Sequence, residues 1–197
     1  MIFLKIKLIK TKLYLYNKKI ITTLVIFLIS TFSLAIDKDQ ELNILFIDLK
    51  KNIPNKSLEI EQKIWLIWST HPTNNKLTLM LDEGSQLVQN QKLNSAVSIF
   101  SKVIELDPTW AEAWNKRATV YYMIGDYQKS QDDINKVLEL ETRHFGALAG
   151  QGLVNIQLKN YEKAIRSYEK AQEIYPAMRS PKIMIKQIEK LIKEQTI

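Results

Sequence analysis

Residues 111–144 read AEAWNKRATVYYMIGDYQKSQDDINKVLELETRH, and their spacing decides the fold. Trp114, Ala118 and Tyr121 fall at i, i+4 and i+7, which places them on one face of a helix running from about Glu112 to Ile124. Gly125 and Asp126 supply a turn, and Tyr127 closes it as the next apolar residue. A second helix, about Gln128 to Leu140, then presents Ser130, Ile134 and Val137 to the first. The stretch is one helical hairpin.

The same pattern recurs on either side when the chain is shifted by the length of this stretch. Ala96, Ser130 and Ala164 come into register, as do Phe100, Ile134 and Tyr168, and Pro108, Thr142 and Pro176. Ala118 matches Gly84 before it and Gly152 after it, a place where only a small residue lets two helices approach closely. Lys92-Leu93 and Asn160-Tyr161 repeat the turn, and Pro108 and Pro176 end the second helices because proline lacks the amide hydrogen. On these landmarks the chain resembles the tetratricopeptide repeat (TPR) family over Leu77 to Pro176. Met80 and Leu148 stand where the family has tryptophan, and Asn155 where it has tyrosine. The runs Trp114 to Ala118 and Arg143 to Leu148 are most similar to exported TPR proteins of alphaproteobacteria.

The expected fold is all-α, a right-handed superhelical array of three TPR hairpins: residues 77–110, 111–144 and 145–178 by period. Residues 179–197 should form a C-terminal capping helix, with Met184, Ile188, Leu191 and Ile192 as its apolar stripe and Ser180-Pro181 as its start. Residues 36–76 read as an N-terminal helical hairpin, about Asp39 to Lys51 and Ser57 to Ser69, broken at Ile53-Pro54. It could be a degenerate fourth unit, although Gln62 stands one period before Ala96. Trp65 and Trp68 are expected to pack on the first repeat, with an aromatic binding patch as the alternative.

Residues 1–35 read as a signal peptide or membrane anchor. Six lysines and no acidic residue precede an uncharged apolar run, Ile20 to Ile36, and Ser33-Leu34-Ala35 offers a cleavage site after Ala35. An uncleaved inner-membrane anchor formed by residues 20–36 remains open, since the run is at the short end of the roughly 17 to 25 residues that span a bilayer. Either outcome holds the lysines in the cytoplasm and places the repeats in the periplasm. The leader also explains the net charge of +7. Of 28 basic residues six belong to it, which leaves 28 − 6 = 22 against 21 acidic side chains in the rest of the chain. Such a balance argues against nucleic acid as a partner. With no cysteine there is no disulfide framework to report on compartment.

No constellation points to catalysis, a metal or a cofactor. His71 and His144 are the only histidines; the first reads as a loop residue and the second as a helix-start contact. Asp82-Glu83 and Asp132-Asp133 are helix neighbours about 100° apart, so they do not converge on a substrate. Gly146, Gly150 and Gly152 lie in a helical pattern and not after a strand. The chain is therefore expected to be a scaffold for a protein or peptide partner, with a self-assembling structural role as the alternative and an enzyme the weakest reading.

The resemblance implies that first helices line a concave groove. By period its lining falls on Thr78, Leu81, Ser85, Val88 and Gln89, then Glu112, Asn115, Thr119, Tyr122 and Met123, then Gly146, Ala149, Leu153, Ile156 and Gln157. This mixed but largely apolar lining suits a hydrophobic segment of a partner, the methionine adapting to its shape. TPR domains that hold the acidic C-terminus of chaperones use lysine, arginine and asparagine at positions occupied here by Leu81, Ser85, Lys116, Gly146 and Gly150. Four of the five lack the required group, so that clamp is not expected.

Overall fold

The computed structural model describes residues 38–53 and 55–195. The leader expected at residues 1–35, its cleavage site and the anchor proposed for residues 20–36 lie outside the described residues. The helices are α1 (residues 38–50), α2 (Ser57–Ser69), α3 (Asn75–Gln89), α4 (Leu93–Leu106) and α5 (Ala111–Ile124), followed by α6 (Tyr127–Leu140), α7 (Phe145–Gln157), α8 (Tyr161–Ile174) and α9 (Arg179–Gln195). No strand occurs among the described residues. Helices α3 and α4, α5 and α6, and α7 and α8 form the three expected hairpins, each packed on the next, and α9 closes on α8.

The turns follow the period as closely as the helices do. Gln91, Gly125 and Lys159 occupy the same place in successive repeats, and each has a left-handed backbone, with φ of 57°, 90° and 59°. This conformation reverses the chain after the first helix. At the middle turn it lets the Asp126 amide donate to the Tyr121 carbonyl at 2.9 Å. Only the middle repeat meets the requirement with glycine, the residue that adopts it without a Cβ clash.

Size complementarity sets the distance between the helices of a hairpin. A Cβ on Gly152 would stand 2.5 Å from the Tyr168 ring, and one on Gly84 would enter the Phe100 ring. In the middle repeat the partner is Ile134 rather than an aromatic residue, and there an alanine, Ala118, fits. Phe100 and Tyr168 are fully buried as a result, as is Ile134 to within a few per cent. The C-terminal helix completes the last unit: Ile188 is 2 % exposed and shares a cluster with Tyr168, Met184 and Ile192.

The N-terminal hairpin does not stack as a fourth unit, and Trp65 and Trp68 do not cap the first repeat. Instead α2 runs along the junctions between repeats, in the reverse of their order. Near its C-terminal end the Trp68 carbonyl accepts from the Trp110 indole at 2.8 Å. Trp65, one turn back, joins the Trp68 ring in enclosing His144 and Phe145 at the start of the third repeat. Near its beginning Glu61 accepts from the Tyr175 hydroxyl at 2.9 Å, and burial together with this carboxylate pushes the Tyr175 pKa up to about 12. Helix α1 adds Leu42, Leu45, Phe46 and Leu49 to the same core and anchors Arg143, which donates to Asn43 and lies over the Phe46 ring. The reason is in the side chains. Gln62 and Leu66, at the places of Ala96 and Phe100 in a stacked repeat, stay exposed, whereas the buried stripe Ile60, Ile64 and Trp68 lies two residues out of register with Ala96, Phe100 and Ile104.

Both histidines accept a backbone amide with one ring nitrogen and hold a carboxylate with the other, but only His144 caps a helix. His144 Nδ1 accepts from the Ala147 amide at 3.0 Å, so its Nε2 carries the proton and donates to Glu112 at 3.1 Å. His71 Nδ1 accepts from the Asn74 amide, and its Nε2 donates to Asp107 at 2.8 Å. His71 is thus a loop residue, as expected, but a buried one. The His144 ring stacks on Trp68 at 4.0 Å and 7°. Glu112, expected to line the groove, is instead buried among His144, Asn115 and Lys116. Burial opposes its ionisation, but the hydrogen bond from His144 and the nearby Lys116 charge outweigh it and hold the carboxyl below its ordinary value.

Two outcomes follow from this packing. Gly152→Ala should lower stability by about 1–3 kcal/mol in urea unfolding, exceeding the ~1 kcal/mol gain in helix propensity, and Tyr168→Ile added to it should recover part of that loss by copying the Ala118 and Ile134 pairing. Strict additivity of the two substitutions would show that the ring is not the obstacle. Glu112→Gln should cost about 1–3 kcal/mol near neutral pH. Because the folded-state pKa lies below the ordinary 4.5, the Glu112 contribution is complete above that value and is lost as pH falls through the folded pKa. The gap between parent and variant should therefore close on acidification; a gap independent of pH would remove Glu112 ionisation from the account.

Candidate functional site

The cleft nearest the expected groove lies between α5 and α7, with α6 as its floor. Asn115, Thr119 and Tyr122 come from α5, Ser130 and Ile134 from α6, and Gly146, Gly150 and Leu153 from α7; they enclose about 70 Å³. The helical period places the α5 residues one turn apart on the same side, as it does Gly146, Gly150 and Leu153 on α7. Gly150 widens the cleft without a clash to relieve, since a Cβ there would lie 3.7 Å from Ile134, at ordinary contact distance.

The polar groups in the cleft are largely engaged. Ser130 donates to the Ala118 carbonyl at 2.8 Å, Thr119 to the Asn115 carbonyl at 3.0 Å, and Asn115 to Glu112 at 3.1 Å. What is left to a ligand is apolar: the half-buried Tyr122 ring, tilted against Tyr127 at 5.6 Å, and Leu153, which is 37 % exposed. The arrangement can hold an aliphatic side chain. It contains no nucleophile and base within reach of each other, and no cluster of metal-ligating side chains occurs among the described residues.

The structure brings together five of the fifteen residues expected to line the groove: Asn115, Thr119, Tyr122, Gly146 and Leu153. Met123 is exposed at the end of α5, outside the cleft lining. Leu81 does not line a groove. It is 1 % exposed and shares the first core with Leu77, Trp110 and Ala113, because the first junction presents large apolar groups to it. Val88 packs against the same core, and the Ser85 hydroxyl donates back to the Leu81 carbonyl at 2.9 Å. Ile156 packs in the α9 cluster, on the face covered by the C-terminal helix. Gly146 lines the end of the cleft beneath Trp65, whose ring would stand 2.6 Å from a Cβ there. The cleft therefore begins where the cover of α2 ends.

Known proteins share this architecture. Two tetratricopeptide repeat models match the chain, one over residues 145–177 and one over residues 99–132. A TPR repeat-containing protein of Rhizobium etli is 32 % identical over 159 residues, which span 80 % of this chain and 78 % of that protein. Hsp70-Hsp90 organizing protein 1 of Glycine max is 28 % identical over 87 residues, 44 % of this chain and 15 % of its own length. Among solved structures, the first TPR of Spaghetti (RPAP3) bound to HSP90 peptide SRMEEVD shares the fold with a TM-score of 0.58, at 19 % identity over 60 % of this chain and 94 % of that one. By its repeat matches and its likeness to the Rhizobium protein over most of both chains, the chain belongs to the tetratricopeptide repeat family.

Proposed function

We propose that this chain is an exported scaffold that binds an apolar segment of a partner protein in the cleft between α5 and α7, acting as an adaptor, assembly factor or chaperone-like component of the bacterial envelope. Tetratricopeptide repeats mediate protein–protein interaction, and the coarse class follows from membership of the family. The observation that carries the finer reading is the lining itself: its polar side chains are bonded within the fold, which leaves Tyr122 and Leu153 as the surface offered. An apolar side chain entering there would desolvate the ring and the leucine together, each methylene contributing about 0.8 kcal/mol.

A partner's C-terminal carboxylate, as held by chaperone-binding relatives, does not suit these residues. Leu81 is buried, Gly146 lies under Trp65, and Lys116 is 3.2 Å from Glu112. A scaffolding role rather than catalysis accords with the same lining. Export is supported by the six lysines of residues 1–19, the uncharged run Ile20 to Ile36 and the small residues at Ser33 and Ala35.

Affinity capture from an envelope extract tests the cleft, with the chain compared against a Tyr122→Glu, Leu153→Glu double variant matched in helicity by circular dichroism. A protein retained by the parent and lost by the variant is expected. Equal capture by both would sink the cleft as the site, and recovery of this chain alone would move the function to self-assembly. Export is checked separately by alkaline phosphatase fused after residue 53: activity is expected, and an inactive, intact fusion would place the repeats in the cytoplasm.

A further inference from the structure

On the other side of α7 the third repeat lacks a plug that the second repeat has. Between α4 and α6 the Arg117 guanidinium donates twice to Asp133, at 2.8 Å each, and once to Ser101 at 2.9 Å. It lies over the Trp114 and Tyr121 rings at 5.0 and 5.7 Å. One period on, between α6 and α8, every member of that plug is replaced. Arg117 becomes Gln151, Tyr121 becomes Asn155, Asp133 becomes Ser167 and Ser101 becomes Asn135. The result is a cleft of about 430 Å³ lined by these shorter polar groups.

Its chemistry is specific. Asn155 donates to Gln131 at 3.2 Å and to the Gln151 carbonyl at 2.9 Å, Gln131 donates to Asn135, and Ser167 shares its one hydroxyl proton between the Lys163 carbonyl at 2.8 Å and the Gln151 side-chain oxygen at 2.9 Å. The network leaves the Gln151 and Asn135 NH2 groups and the Asn155 side-chain oxygen without a partner among the described residues, so donors and acceptors are both on offer. Along one edge stand Lys163, Arg166 and Lys170, none of them ion-paired among the described residues, and no carboxylate or aromatic ring lines the cleft. Without an aromatic platform it suits neither a sugar ring nor a stacked base. The step from Lys163 to Lys170 extends about 10 Å along α8, the length of about three residues of extended peptide.

We propose that this cleft is a second binding site, separate from the one between α5 and α7, and that it takes an extended acidic segment of a protein. The amides pair with the segment's backbone NH and CO groups, as an adjacent strand would, and Lys163, Arg166 and Lys170 pair with its carboxylates. A free C-terminus is not needed.

The test is anisotropy of a fluorescein-labelled Ser-Glu-Asp-Glu-Glu-Ser peptide, capped at both ends, titrated with the full chain at low ionic strength. The uncharged Ser-Gln-Asn-Gln-Gln-Ser serves as the control. The acidic peptide should bind at least tenfold more tightly than the control. The triple variant Gln151→Arg, Asn155→Tyr, Ser167→Asp rebuilds the plug of the preceding repeat and should weaken binding at least tenfold without lowering the melting temperature. If that variant does not fold, Lys163→Glu with Lys170→Glu, both at exposed positions, should give the same loss. Equal binding of both peptides, no binding, or an unchanged affinity in the folded variants would overturn the proposal. Tyr122→Glu with Leu153→Glu should leave this affinity unchanged, so the two sites stand or fall separately.

Discussion

Everything in the array depends on how closely two helices of a hairpin can approach, and a single pair of residues limits that approach in each repeat. Gly84 admits the Phe100 ring, Gly152 admits the Tyr168 ring, and Ala118 meets the slimmer Ile134. The helix spacing is thus kept while the side-chain volume is divided differently between partners, in keeping with interiors packed at nearly crystalline density. Once the hairpins share one thickness, their junctions fall into line, and Trp110, His144 and Met178 recur one period apart along one edge.

That edge is what α2 covers. A surface of repeat junctions exposes helix starts, whose amides lack partners within their own helix. Here His144 caps one start and simultaneously holds the buried Glu112. Trp68 then stacks on the His144 ring and keeps water from the pair. The carboxylate is tolerated because its partners are fixed on three sides, by His144, Asn115 and Lys116; removing one of them would leave a charge in an apolar setting. The cover also bounds the cleft. By covering Gly146 at the start of α7 with Trp65, it leaves the cleft between α5 and α7 open around Tyr122 and Leu153.

The repeat helices were legible in the sequence to within a residue or two, since Trp114, Ala118 and Tyr121 recur with a period that only stacked hairpins satisfy. The capping role of Met184, Ile188 and Ile192 was equally plain. The destination of α2 was not, because contacts such as Glu61 with Tyr175 join segments that share no period. For the groove, a position number identifies a side but not its neighbours. Asn115, Thr119, Tyr122 and Leu153 converge, while Leu81 and Ile156 are claimed by Trp110 and by the C-terminal helix cluster. The cleft beside Asn155 shows the same limit from another direction. The missing tyrosine is visible in the sequence, but a cavity results only because Gln151 and Ser167 are short at the same time.

The reversed course of α2 has a consequence for the order in which the chain can assemble. Asn43 meets Arg143, and Glu61 meets Tyr175, at separations of 100 and 114 residues, whereas the contacts within each hairpin are local. Short-range contacts close first and long loops later. During synthesis at about 5 to 20 residues per second, the N-terminal hairpin emerges on the order of 10 s before its last docking surface exists. For that interval Ile60, Ile64 and Trp68 have no repeat edge to cover, and the earliest part of the domain to be made is the last to find its place.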